Sequence, residues 1–169
     1  VLGKPRYLGM MGGLEEGCDA VFMIGYHSRS QGRGILAHTI NSFAFSRVFI
    51  NGMELGEAGL YGALAGEMGV PVILGTGDDV FISETRDTFP GAEWVQTKVA
   101  HGQGSGIPLS PAASRRAIAA AAETAVRSFK KQPPVPFRIA APIECRLQTQ
   151  SAALADLFCM WPTLERVDG

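Results

Sequence analysis

The stretch GYHSRSQGRGILAHT, residues 25–39, holds two of the chain's three histidines, His27 and His38, eleven positions apart. A neutral imidazole offers a lone pair to a borderline cation such as zinc, or a base that works near neutral pH. Glu57 opens the segment GEAGLYGALAGEMG, residues 56–69. At helical spacing Glu57, Leu60, Tyr61, Leu64 and Met68 share one side, and Gly59, Gly62, Ala63 and Gly66 the other. The bulky side is expected to face inward, with both sides covered. An ionised carboxylate at the start of an inward face is costly unless a cation or several donors meet it. A carboxylate and an imidazole converging on one rim form a donor set that zinc accepts. Plainer roles stay open: a hydrogen-bonded structural His27, Glu57 favouring its helix dipole, and Asp78 and Asp79 as loop formers or caps. His101, in a Gly-rich loop, reads as structural.

These residues need a scaffold. DAVFMIGY (19–26) is a continuous apolar run, as in a strand buried on both faces. FSRVFIN (45–51) reads as a second strand ended by Asn51-Gly52, and VPVILGTGDD (70–79) as a third, entered directly from the helix that stops at Gly69. The order predicts an α/β fold: a mostly parallel open sheet with flanking helices around a strand-helix-strand core. In such sheets, sites collect beyond the carboxyl ends of the strands. Tyr26-His27, Asn51 to Glu57 and Gly77 to Asp79 occupy such ends.

Farther on, EWVQTKVA (93–100) can form a strand and GQGSG (102–106) a flexible loop. Ser110-Pro111 opens a long alanine-rich helix over 111–131, with serine as N-cap. QPPVP (132–136) is a stiff connector, FRIAAPIE (137–144) a strand and SAALADLFCMW (151–161) a short helix. The division expected is an α/β core over 1–131 carrying part of a metal site, and a C-terminal strand and helix over 132–169 that begins a further subdomain. The chain opens on Val1 in what reads as mid-domain, so an upstream segment is expected.

Composition narrows the partners. Fifteen basic residues stand against sixteen acidic ones without blocks, which gives no field to gather nucleic acid or anionic lipid. Three cysteines, Cys18, Cys145 and Cys159, fit neither a disulfide framework nor a CxxC knuckle and point to a reducing compartment. No apolar run approaches the roughly 18 to 20 residues of a membrane span, and no signal-peptide order is present. The expected location is cytoplasmic. The glycine runs do not match GxxxxGK[ST] and lie inside a helix, where close packing explains them. No GxSxG elbow exists, and Cys18 precedes the strand that an active thiol would follow.

Taken together, GYHSRSQGRGILAHT, VFINGMELGEAGLYGALAGEMGVPVILGTGDD (48–79) and TKVAHGQGSGIPLSPAAS (97–114) resemble the zinc-dependent D-aminopeptidases of the DppA type. The likeness is clear over about residues 1–130 and looser beyond. It implies two zinc ions per subunit of the complete protein, His27 and Glu57 as zinc ligands, and His38 as a separate catalytic histidine. It implies a short peptide substrate with a free amino terminus, often a D-residue there, and a ring-shaped homo-oligomer. Tyr26, Asn51 and Met53 are plausible substrate neighbours. The family's other ligands come from an S-x-D-x-E-G segment and a further His, neither of which occurs in these 169 residues. The dinuclear site is therefore expected to need an upstream segment. The alternatives are a degenerate relative serving as scaffold or small-ligand binder, and a metal-dependent amidase acting on non-peptide amides.

Overall fold

A computed structural model describes residues 6–167; the opening residues 1–5, which include the entry read above as mid-domain, and the last two residues lie outside that range. Along the described chain run β1 (Val21–Met23), β2 (Phe45–Ile50), β3 (Met53–Glu54), α1 (Glu57–Glu67), β4 (Val72–Asp78), α2 (Asp79–Thr85), β5 (Glu93–Gly102), β6 (Ser105–Pro108), α3 (Pro111–Lys131), β7 (Cys145–Thr149) and α4 (Ala152–Phe158).

VILGTGD, the whole of β4, is buried at every position, as an apolar run must be when both faces of its strand are covered. It pairs in parallel with β1 on one side and with β5 on the other, and β6 closes the far edge antiparallel to β5. The sheet order is β1-β4-β5-β6. One core gathers Val21, Met23, Val72, Phe81 and Ile82 with Ala58 and Ala65 of α1. A second core sets Ile73, Leu74 and Val95 against Ala117, Ile118, Ala121, Ala125 and Phe129 of α3. Helices therefore cover the inner strands, and the α/β class, mostly parallel with flanking helices, is the fold observed; β1, expected to be buried on both faces, is an edge strand with one face covered and Phe22 and Ile24 exposed.

Several local expectations change. The 45–51 strand does not join the parallel sheet: β2 is the middle of a separate antiparallel sheet ordered β3-β2-β7. Its alternating burial shows why, because only one face is covered, whereas a strand inside the main sheet needs both. The strand-helix-strand units are β1-α1-β4, in which α1 and β4 are as expected but the first strand is β1, and β4-α2-β5. The short helix α2 follows β4 with no intervening loop, where the sequence suggests only a loop or a cap. GQGSG is no loose loop: β5 and β6 pair up to Gly102 and Ser105, leaving a two-residue turn of Gln103 and Gly104. His101 consequently lies within β5. FRIAAPIE is not a strand; β7 begins after it, at Cys145. Pro136 precedes that segment and Pro142 lies within it, and neither has the amide proton that a ladder needs.

The largest correction concerns α1. Both of its sides are covered, but the small side is the deeper one: Ala58, Gly59, Gly62, Ala63, Ala65 and Gly66 are buried, while Met68 is exposed and Leu60, Tyr61 and Leu64 are half-buried. Bare backbone lets neighbours approach closely. A Cβ on Gly62 would lie 2.4 Å from the Phe89 ring, and one on Gly66 would lie 1.7 Å from the Phe137 carbonyl oxygen. Close seating of this helix fixes where its first residue, Glu57, emerges.

Candidate metal centre

His27 leaves the sheet just beyond β1, where Tyr26 N donates to the Thr76 carbonyl and Gly25 N to the Thr76 hydroxyl oxygen, tying that exit to β4. His38 lies in the long connection to β2, and Glu57 is the first residue of α1. Three parts of the chain thus deliver one group each. The two imidazole rings stack with centroids 3.9 Å apart and an interplanar angle of 17°. His38 Nε2 is 3.5 Å from Glu57 Oε1, and His27 Nε2 is 3.9 Å from Glu57 Oε2. Ligand atoms from His27, His38 and Glu57 all lie within 4.8 Å of one another.

Backbone carbonyls decide the chemistry of the rings. His27 Nδ1 is 3.0 Å from Ser28 O, and His38 Nδ1 is 2.7 Å from Leu36 O. A carbonyl oxygen only accepts, so each Nδ1 carries the proton and donates it. In the neutral imidazole the lone pair is then on Nε2, the atom turned toward Glu57 in both rings. Locking Nδ1 by an outer acceptor is how proteins set the tautomer and orientation of a metal-binding histidine. The Ser28 carbonyl also accepts from His38 N at 3.3 Å, so one peptide group organises both histidines.

Glu57 is only 12% exposed along its side chain, and its Oε1 accepts from Ile40 N at 2.8 Å. One amide leaves most of the carboxylate's acceptor capacity facing the imidazoles. That arrangement answers the expectation that a buried carboxylate needs a partner, and it would accommodate a divalent cation. Its place at the first turn of α1 also meets the positive end of the helix dipole. Next to the site, Tyr26 has its phenol pushed up to about 12, first by burial, then by the charge of Glu57 and by Tyr61. It stays a neutral hydroxyl there, directed at Met10 Sδ at 3.8 Å.

The 28–40 connection is held in unusual backbone. Gln31, Leu36 and Ile40 have φ of 66°, 56° and 60°, a region that costs non-glycine residues roughly 1–2 kcal/mol each. Two of the three serve the site directly, Leu36 through its carbonyl and Ile40 through its amide. Ion pairs brace the same segment: Arg29 Nη1 donates to Glu84 Oε2 at 2.8 Å, and Arg29 N donates to Glu84 Oε1 at 2.9 Å. Arg29 Nε lies 3.3 Å from Glu54 Oε1, close enough for charge attraction although misaligned for a hydrogen bond.

A D-aminopeptidase family model, that of the M55 peptidases, matches residues 1–169. The chain belongs to the M55 peptidase family. It is 27% identical over 135 residues to a D-aminopeptidase of Bacillus subtilis strain 168, covering 80% of this chain and 49% of that protein. Its fold matches that of the solved Zn-dependent D-aminopeptidase DppA from Bacillus subtilis, described as a self-compartmentalizing protease. That match has a TM-score of 0.93 at 23% identity, over 100% of this chain and 61% of the other. This M55 chain thus spans about half the length of the curated relative it matches.

Of the residues singled out in the sequence, His27, His38 and Glu57 come together. Asn51 is committed elsewhere: its side-chain amide donates to Ala140 O and Pro142 O and accepts from Glu144 N. With φ of 49° followed by 79° at Gly52, it forms the two-residue turn between β2 and β3 that an Asn-Gly pair favours. Met53 is 40% exposed on β3. Asp79 is tied to β5 through Ala100 N at 2.7 Å. The supporting groups of Ser28, Leu36 and Ile40 act through backbone atoms, which no residue-type signal could have marked.

Proposed function

We propose that this chain carries part of the active site of a zinc-dependent aminopeptidase that hydrolyses short peptides with a free amino terminus, D-residues included. The observation that carries the reading is the pair of imidazoles whose Nδ1 protons are spent on carbonyls while both Nε2 atoms face a half-buried carboxylate. Nitrogen and carboxylate oxygen on a fixed frame suit zinc. In the family's chemistry zinc, once bound, acidifies water and polarises the scissile carbonyl. His27 Nε2 and Glu57 would hold the ion, and two ions per subunit are part of this reading.

His38 then acts through its own ring. Leu36 fixes its Nδ1 proton, so Nε2 is free to take up or release a proton at the reacting face, as donor to the leaving amine or partner of the tetrahedral oxyanion. It lies on the same side as Glu57, so a substrate placed between the carboxylate and the ring would meet both. Tyr26, next to His27 in the chain and felt by the Glu57 charge, heads the substrate-side candidates; Asn51 and Met53 complete that proposal. A cytoplasmic location and a homo-oligomer complete the reading, the latter supported by the description of the Bacillus subtilis relative as self-compartmentalizing.

A second reading has one observation in its favour: His38 Nε2 belongs to the same 4.8 Å cluster as the other two donors, which would make it a third ligand. Hydrolysis of D-alanyl and L-alanyl dipeptides by the zinc-loaded full-length polypeptide tests the function. Turnover that disappears in His38→Ala while zinc stays bound supports the proposal. Hydrolysis confined to simple amides points to the amidase, and zinc-loaded protein inert on all of them points to the scaffold.

A further inference from the structure

Asp78 ends β4 with no solvent exposure, and its two carboxylate oxygens do different things. Oδ1 accepts from Phe81 N at 2.8 Å and caps α2. Capping needs one oxygen only. Oδ2 reaches across the sequence to accept from Ile35 N at 2.7 Å. The next residue, Leu36, is anchored in turn by its own amide, which donates to Gln103 O at 2.8 Å. Two consecutive amides are therefore pinned just before the carbonyl that receives the His38 Nδ1 proton. Leu36 has φ of 56°, a conformation its side chain disfavours and the two anchors impose.

We propose that Asp78 is a positioning residue for His38, acting through Ile35 N–H and the Leu36 carbonyl to hold the Nδ1–H tautomer and aim Nε2 at Glu57. This rests on the reading of His38 as a functional imidazole of the site. Gly34 supports it independently. A Cβ there would lie 2.4 Å from Ser28 Oγ and 2.9 Å from Asp78 Oδ2, so bare backbone at that position lets Ile35 reach the carboxylate. An ordinary helix cap requires no such clearance from a distant loop.

The test is the tautomer of His38, read from its two imidazole ¹⁵N resonances in the purified full chain without metal. Wild-type protein shows two well-separated resonances for His38, the signature of a fixed Nδ1–H form. Asp78→Asn keeps an acceptor for only one of the two amides, and the His38 pair is expected to collapse toward the averaged position of a mixed population. His27, whose Nδ1 is held by Ser28 O, keeps its separation. Gly34→Ala leaves the carboxylate in place but sets a methyl against Asp78 Oδ2 and Ser28 Oγ; it gives the same collapse at His38 and covers the case that Asp78→Asn fails to fold, with an unchanged His27 pair showing that the Ser28 carbonyl has kept its place. Val72→Ala, a core variant of general destabilising effect, leaves both histidines unchanged. An unaltered His38 pair in a folded Asp78→Asn or Gly34→Ala protein overturns the proposal, as does the same collapse in Val72→Ala. Zinc titration of wild-type protein is read separately: absence of binding with the collapse intact removes the peptidase reading and leaves the positioning role standing.

Discussion

Replacing Gly66 by alanine sets helix propensity against close packing, and the structure says which wins. An alanine inside α1 gains about 1 kcal/mol over glycine from propensity alone. Its methyl carbon would land 1.7 Å from the Phe137 carbonyl oxygen and 2.7 Å from the carbonyl carbon. Both are backbone atoms, so no rotamer change relieves the clash, and α1 and the 137–138 segment must part by more than an ångström. Overpacking of this kind costs about 1–3 kcal/mol. The separation also stretches the hydrogen bond from Arg138 Nε to Gly66 O, now 2.8 Å, which as a bond from a charged donor is worth about 1.5–3 kcal/mol. The expected net loss is roughly 3 kcal/mol, or a fall in Tm of about 6–12 °C for a chain of this size. Urea denaturation of wild type, Gly66→Ala and Gly59→Ala measures it. The Gly59 variant is the milder one, since its nearest neighbour is the end of the flexible Leu55 side chain at 2.9 Å. A neutral or stabilising Gly66→Ala would refute the packing argument, because propensity would then have decided the outcome.

Other consequences follow from single groups. Burial, outweighing the Arg29 amide and charge, holds the Glu84 carboxyl above the ordinary carboxylate range. Its protonated form is the one the fold favours, so the stability of wild type relative to Glu84→Gln is greatest below the unfolded value and is lost as pH rises through the raised folded value; a relative gain with rising pH would show that Arg29 dominates. Ile40, 53% exposed with φ of 60°, should tolerate glycine with anything from no change to a gain of about 1 kcal/mol, since relief of left-handed strain offsets the entropy of glycine; a thermal melt showing a clear loss contradicts this. Ser110→Ala removes the side-chain acceptor of Ala113 N and should cost about 1 kcal/mol by chemical denaturation.

What could be read in the residues were the features written in side-chain types and long patterns. The uninterrupted apolar run of β4 announced a strand covered on both faces, and Ser110-Pro111 placed the start of α3 to the residue. The types of His27, His38 and Glu57 marked them as candidates and the structure brings them together, although Glu57 arrives from the start of α1 beyond the separate sheet and not from an end of the parallel one. Depth was misread where small residues pack more closely than large ones, as on α1. Partnership was misread for β2, whose length and composition suit either sheet, and which lies in the smaller one because β7 pairs with it from far along the chain. Asp78 looked like a cap and is one; its second oxygen, bound to Ile35, depends on a loop path that no local pattern records.

Zinc binding to purified wild type, His27→Ala, Glu57→Ala and His38→Ala, followed by calorimetric titration, bears most directly on the proposal that His27 and Glu57 hold the ion while His38 works beside it. Loss of an outer hydrogen-bond partner already lowers metal affinity by roughly 10- to 100-fold, so removal of His27 or Glu57 should cost at least that, with His38→Ala close to wild type. Equal affinity in all four proteins, or a loss in His38→Ala larger than in His27→Ala, would contradict the assignment.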